Sequence, residues 1–65
     1  MVKVNGERME SIIGKTVAEY LTISGYDRRR VAVELNGDIL PKARFESTVL
    51  HDGDNVEIVS FVGGG

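Results

Sequence analysis

Val31-Ala32-Val33-Glu34-Leu35-Asn36-Gly37-Asp38-Ile39-Leu40-Pro41 reads as a single hairpin, and that reading decides the class of fold. Val31, Val33 and Leu35 alternate with Ala32 and Glu34, the period of two that sets one row of side chains on a buried face. Asn36-Gly37 supplies a pair that accepts the φ > 0 geometry of a type I′ turn, whose twist matches that of the strands it joins. Ile39-Leu40 makes a brief return strand. Pro41 ends its ladder because proline has no N–H to donate, which predicts an edge position.

Upstream, a second Asn-Gly pair stands between two further strand signals. Val2 and Val4 share a face, Asn5-Gly6 turns the chain, and a return strand is expected over 7–12. Gly14-Lys15 breaks the alternation, and Thr16 precedes Glu19 by three residues in the T-x-x-E order of a capping box. Val17, Tyr20 and Leu21 then fall at i, i+3 and i+4, with Ile23 extending the apolar surface. Gly25 suits the left-handed residue that closes a helix, so a helix is predicted over 17–24, followed by a loop over 26–30.

Downstream, 42–46 is expected to form one helical turn and 48–50 a short extended piece. Asp52-Gly53-Asp54 is a turn in which glycine supplies the backbone freedom. In the last strand Val56, Ile58 and Ser60 share one face and Glu57, Val59 and Phe61 the other, a composition that predicts burial on both sides and a place near the sheet centre. Nine Val and five Ile against four Leu agree with a sheet-dominated chain, because β-branched side chains pack well on a pleated surface. Hairpin, helix, short hairpin and final strand is the order of an α+β β-grasp, a mixed sheet of four to five strands with one main helix packed across it. First and last strands are then parallel neighbours joined by a right-handed crossover. The expected organisation is one domain over 1–62 and a glycine tail over 63–65.

Composition removes several classes of function. A chain of 65 residues is one small domain, whose core supplies roughly 3–5 kcal/mol and leaves little room for an enclosed active site. With no cysteine there are neither disulfides nor thiolate metal sites, so the fold stands on packing. A formal charge of −2 gives little attraction for a phosphate backbone, and nucleic acid is not an expected partner. No apolar run approaches the ~20 residues of a spanning helix, and the first residues lack a secretory h-region, which makes the cytoplasm the expected location with no membrane partner.

The individual motifs are each weighed against an ordinary structural role. Gly14-Lys15-Thr16 matches the end of a phosphate-binding loop, yet Met9 occupies the position of its first glycine and Thr16 is already explained as a helix cap. Asp52-Gly53-Asp54-Asn55 runs into Val56 and Ile58 instead of further oxygen ligands, so no calcium loop is expected, and no other metal site is read. His51 has no Ser or Cys nucleophile and orienting acid beside it and is expected in an exposed loop, with no catalytic residue assigned. Arg28-Arg29-Arg30 reads as a solvated loop face, with docking on an acidic partner as the sharper alternative. Val59, Phe61 and Val62 form either part of the core or an outward apolar patch for protein docking. The ending Gly63-Gly64-Gly65 admits two readings: a frayed terminus, or a side-chain-free tail able to thread a narrow channel in another protein.

Three stretches together resemble the ThiS family of thiamin-biosynthesis sulfur carriers. They are the hairpin of 31–42, the run Asp52-Gly53-Asp54-Asn55-Val56-Glu57-Ile58-Val59, and the terminal Phe61-Val62-Gly63-Gly64-Gly65. Val4-Asn5-Gly6-Glu7 and Thr16-Val17-Ala18-Glu19-Tyr20-Leu21 fit the same pattern, so the resemblance covers nearly the whole chain. It implies a ubiquitin-like β-grasp whose Gly65 carboxylate is adenylated with ATP by a ThiF-type enzyme and receives sulfur from a persulfide donor. The resulting thiocarboxylate then delivers sulfur to thiazole synthase, ThiG. Gly64 is the other half of the Gly-Gly signature, and Gly63 a third glycine sometimes found before it. The chain is then a co-substrate and not an enzyme, binds no cofactor itself, and is expected to be monomeric when free. The alternatives are a MoaD-like carrier for molybdopterin synthesis, disfavoured by the short chain and the lack of proline before the glycines, and a β-grasp interaction module without tail chemistry.

Overall fold

The computed structural model describes residues 1–61; the predicted tail of Gly63, Gly64 and Gly65, with Val62 before it, lies outside the described residues. Five strands, one α-helix and two 3-10 turns follow one another as β1 (Val2–Val4), β2 (Glu7–Met9), α1 (Val17–Ile23), a first turn (Arg28–Arg30), β3 (Val31–Leu35), β4 (Asp38–Leu40), a second turn (Lys42–Arg44) and β5 (Asn55–Ser60). The sheet order is β2-β1-β5-β3-β4, with β1 and β5 parallel and every other neighbouring pair antiparallel. This is the β-grasp arrangement, with the last strand central and β4 at an edge as Pro41 requires.

Both hairpins turn on their Asn-Gly pairs. Asn5 and Gly6 take φ of 50° and 84°, and Asn36 and Gly37 take 52° and 89°, so both central residues of each turn are left-handed, as a type I′ connection demands. The helix begins at the capping box: Thr16 Oγ1 accepts from Glu19 N–H at 3.1 Å and Glu19 Oε1 accepts from Thr16 N–H at 2.8 Å. Val17, Ala18, Tyr20 and Leu21 turn inward and share one core with Val2, Val4, Ile12, Val31, Val33, Phe45, Leu50, Val56 and Ile58.

Four expectations are corrected. The return strand ends at Met9 and not at residue 12, because the chain folds into turns in which Ile13 N–H donates to Glu10 O and Lys15 N–H to Ile12 O; these tuck Ile12 into the core. Ile23 is 64% exposed, since about 100° of rotation per residue carries it well off the stripe set by Val17, Tyr20 and Leu21. The stretch after Tyr26 is no open loop: Asp27 caps a 3-10 turn by accepting the Arg29 N–H. β5 is central yet buried on one face only. Val56 and Ile58 are enclosed beneath the helix while Glu57 and Val59 stay exposed, because among the described residues only one face of the sheet carries a helix; Ser60, on the helix side, is exposed at the end of the strand.

Phe45, just after the second turn, is wholly buried, and its carbonyl accepts the Ala18 N–H at 2.9 Å. Thr48 O accepts the Val17 N–H in the same way, and Val49 bridges to Thr16. The segment expected as one helical turn and a short extended piece therefore satisfies free donors of the first helical turn.

Candidate functional site

β5 leads directly toward the glycine end, and both of its edges are gripped. On the β1 side the regular pairing stops at Val4 opposite Val56, where the chain enters its turn. The Asn5 side chain continues it: Ile58 N–H donates to Asn5 Oδ1 at 2.7 Å and Asn5 Nδ2 donates to Ile58 O at 3.2 Å. On the β3 side the Asn36 side chain performs a related task at the start of the strand, with Oδ1 accepting the Asn55 N–H at 2.9 Å and Nδ2 donating to Asp54 Oδ1 at 3.0 Å. Each asparagine thus has two functions, a left-handed turn residue and a clamp on β5. The Asn-Gly motif reveals only the first, because the partners of the side chain lie 53 residues on for Asn5 and 18 and 19 residues on for Asn36.

At its far end β5 stays in register with β3 through Ser60 opposite Val31, and the Phe61 N–H donates to Arg30 O at 2.7 Å. Val59 and Phe61, 58% and 56% exposed, lie two residues apart and so project from the same, helix-free face. Ala32 sits directly across from Val59, and Ile39 on the edge strand is 75% exposed. Between these apolar groups Glu34 and Glu57 face each other across β3 and β5, a like-charge pairing that contributes nothing to sheet stability. Of the candidate docking residues, Val59 and Phe61 are on this open face, and Val62 falls outside the described residues together with the glycines.

The residues with other possible chemistry are accounted for locally. Thr16 is committed to the helix cap, which leaves Gly14-Lys15-Thr16 as a turn. His51 is exposed, and its backbone N–H donates to Asp54 Oδ2 at 2.8 Å within the Asp52-Gly53-Asp54 turn. Among the described residues no cluster of three His, Cys, Asp or Glu side chains is arranged to hold a metal ion. A shallow groove beside the helix, lined by Ala18, Glu19, Thr22, Ile23, Arg28 and Glu46, contains no histidine or cysteine. The Arg29 guanidinium and then the Arg29 N–H bond the Asp27 carboxylate and hold it down at about 2. No described helix is long and apolar enough to cross a membrane.

The chain is similar in sequence and fold to known proteins. The sulfur carrier protein ThiS of Thermus thermophilus is 38% identical over 65 residues, all of this chain and all of that one. A solved structure of the thiamine biosynthesis protein ThiS from Geobacter metallireducens superposes with a TM-score of 0.77 at 36% identity, covering 98% of this chain and 97% of that chain. A thiazole synthase of Paramagnetospirillum magneticum is 44% identical over 62 residues, and there the chain spans 95% of its own length but only 19% of the relative's. The ThiS family model matches residues 2–65, a span that includes the terminal glycines. The chain therefore belongs to the ThiS family, with the ubiquitin-like β-grasp fold of that family.

Proposed function

We propose that this chain is a sulfur carrier of thiamin biosynthesis that works through its glycine tail. The Gly65 carboxylate is adenylated by a ThiF-type enzyme, with ATP supplying AMP and releasing pyrophosphate; the outer sulfur of a persulfide donor displaces AMP to form an acyl disulfide, and a thiol reduces this to the thiocarboxylate. Thiazole synthase takes the sulfur from the thiocarboxylate. Family membership through residue 65 is the observation that carries the reading, and the thiazole synthase relatives support the choice of recipient.

The chemistry is consistent with what the chain contains. A carboxylate is a poor acyl donor until a good leaving group is attached, so a carrier depends on an outside activator and needs no nucleophile or base of its own. Sulfur held on a terminal carbonyl needs no cysteine, and the chain has none. Val59, Phe61 and Val62 are the proposed docking residues, supported by the exposure of the first two beside the exit of β5. The carrier is proposed to act as a cytoplasmic monomer that binds no cofactor.

Intact-mass measurement tests this after incubation with ATP, a ThiF-type enzyme and a sulfide source, with a Gly65-amidated sample as control. The expected result is one oxygen-to-sulfur exchange that maps to the last peptide and is absent from the control. No exchange with an activator proven competent on its own carrier would reduce the glycines to an inert terminus.

A further inference from the structure

The two 3-10 turns meet at the end of the sheet where the chain leaves β5. The first passes directly into β3, and its last carbonyl, Arg30 O, accepts the Phe61 N–H. The second folds back onto the first, since Lys42 Nζ donates to Arg29 O at 2.7 Å. Arg28 reaches across to Glu46 at 3.9 Å, with its guanidinium 6.0 Å from the centre of the Phe45 ring. Arg28, Arg29, Arg30, Lys42 and Arg44 stand here against Asp27, Glu46 and Glu19, the last sharing a groove with Arg28, a local charge of +2 in a chain whose formal charge is −2.

The opposite end of the sheet is weakly acidic, with three aspartates against Lys3 and the Met1 amine. Asp38 follows the Asn36-Gly37 turn, Asp54 is bonded to the Asn36 amide, and Asp52 lies in the same loop, paired with the Met1 amine. β5 connects the two ends with six residues, about 20 Å at ~3.3 Å per residue, more than twice the ~8 Å screening length at physiological salt. A molecule approaching the Phe61 end therefore meets a positive surface although the chain as a whole is negative.

We infer that the arginine turn and Lys42 form a basic collar that docks on an acidic protein surface and presents the glycine end first. The partner fitted by this charge pattern is a carboxylate-rich rim around the site that receives the tail, so the inference rests on the tail reading above. A nucleic acid fits poorly, because it demands phosphate contacts along a strand, and the negative remainder of the chain opposes a polyanion of any length. The collar acts on encounter more than on residence. Charges at the edge of an interface steer association, and in mutants of such edges the on-rate and its salt dependence change while dissociation is nearly constant.

The test follows backbone amides of the 15N-labelled chain during titration with a Glu-rich peptide at low and high salt, then measures stopped-flow association with a ThiF-type enzyme. Shifts are expected at 27–31, 42–46 and 60–61, and are erased by high salt. The exposed-site variant Arg28→Gln/Arg29→Gln/Lys42→Gln, checked for unchanged thermal unfolding, is expected to lose these shifts and to associate about tenfold more slowly at low salt. Its dissociation should change less than about twofold. Shifts elsewhere, shifts that survive the substitutions, or an unaltered on-rate would overturn the inference, as would tighter binding of a single-stranded oligonucleotide than of the peptide. A wild-type chain that binds the peptide through the collar but never loads sulfur would support the surface and count against the carrier reading.

Discussion

Substituting Asn5 by glycine and by alanine is expected to give two different losses of stability, and the gap between them separates the two functions of this residue. Glycine keeps the left-handed φ of 50° without strain and removes only the side-chain bonds to Ile58 N–H and O. Two such bonds at about 0.5–1.5 kcal/mol each predict a loss of roughly 1–3 kcal/mol. Alanine loses the same bonds and adds about 1–2 kcal/mol for a Cβ in the left-handed region, roughly 2–5 kcal/mol in all. Against a core worth about 3–5 kcal/mol, the alanine variant stands close to the unfolding midpoint at room temperature.

Urea denaturation with an unchanged slope reads the loss, and hydrogen exchange at the Ile58 amide reads its location. Asn36→Gly is the control for the extra chain entropy of glycine, because Asn36 has nearly the same φ but makes its side-chain bonds at an exposed site, where water replaces them. The reasoning is refuted if Asn5→Gly falls within about 0.5 kcal/mol of the parent, the range of an ordinary surface change, or if the Ile58 amide exchanges no faster.

Phe61→Ala is expected to cost under about 1 kcal/mol, whereas Phe45→Ala, at a fully buried site, should cost about 3–5 kcal/mol; chemical denaturation ranks them. The same Phe61→Ala should weaken binding to a ThiF-type partner, measured by calorimetry, and a large stability loss with normal binding would place Phe61 in the core. Deleting Gly64 and Gly65 should leave the unfolding midpoint where it is and abolish sulfur loading; a shifted midpoint would show that the tail contributes to the fold. Asp27, held below its ordinary 3.8 at about 2, contributes its full stabilisation above pH ~3.8 and loses it as pH falls through about 2. Thermal melts should accordingly decline on acidification across that window and decline less in Asp27→Asn, while parallel curves would rule out a contribution from this pair.

The elements written in short-range chemistry were legible in the sequence. Asn-Gly turns, the Thr16–Glu19 box and the proline after Leu40 each act within four residues, so the two hairpins, the helix start and the edge strand could be placed from the chain alone. What depended on distant partners was not legible. Phe45 lies in a segment without periodicity and belongs to the core because its carbonyl accepts from the first turn of the helix and its side chain is wholly buried. Whether Glu57, Val59 and Phe61 are covered depends on the number of layers on the sheet, and alternation within one strand does not encode it. The arginine run was visible as charge, but its position beside the exit of β5 is set by the register of Val31 with Ser60.

Chain length ties that exit to the proposed chemistry. Among the described residues the last backbone bond anchoring the strand is Phe61 N–H to Arg30 O, four residues before Gly65. Four residues span at most about 14 Å, so on the carrier reading the reacting carboxylate is always within about that distance of Phe61. A site that captures it cannot be recessed further than this without bringing its rim onto Val59, Phe61 and the basic turns. Docking and delivery are thus one event: contacts on the sheet end restrict where the tail can go, and part of the entropy of bringing the carboxylate to its activator is offset by the surface that holds the root. A folded domain bearing a short glycine end has this advantage over a free glycine-rich peptide, whose terminus would meet the same channel with no such restriction.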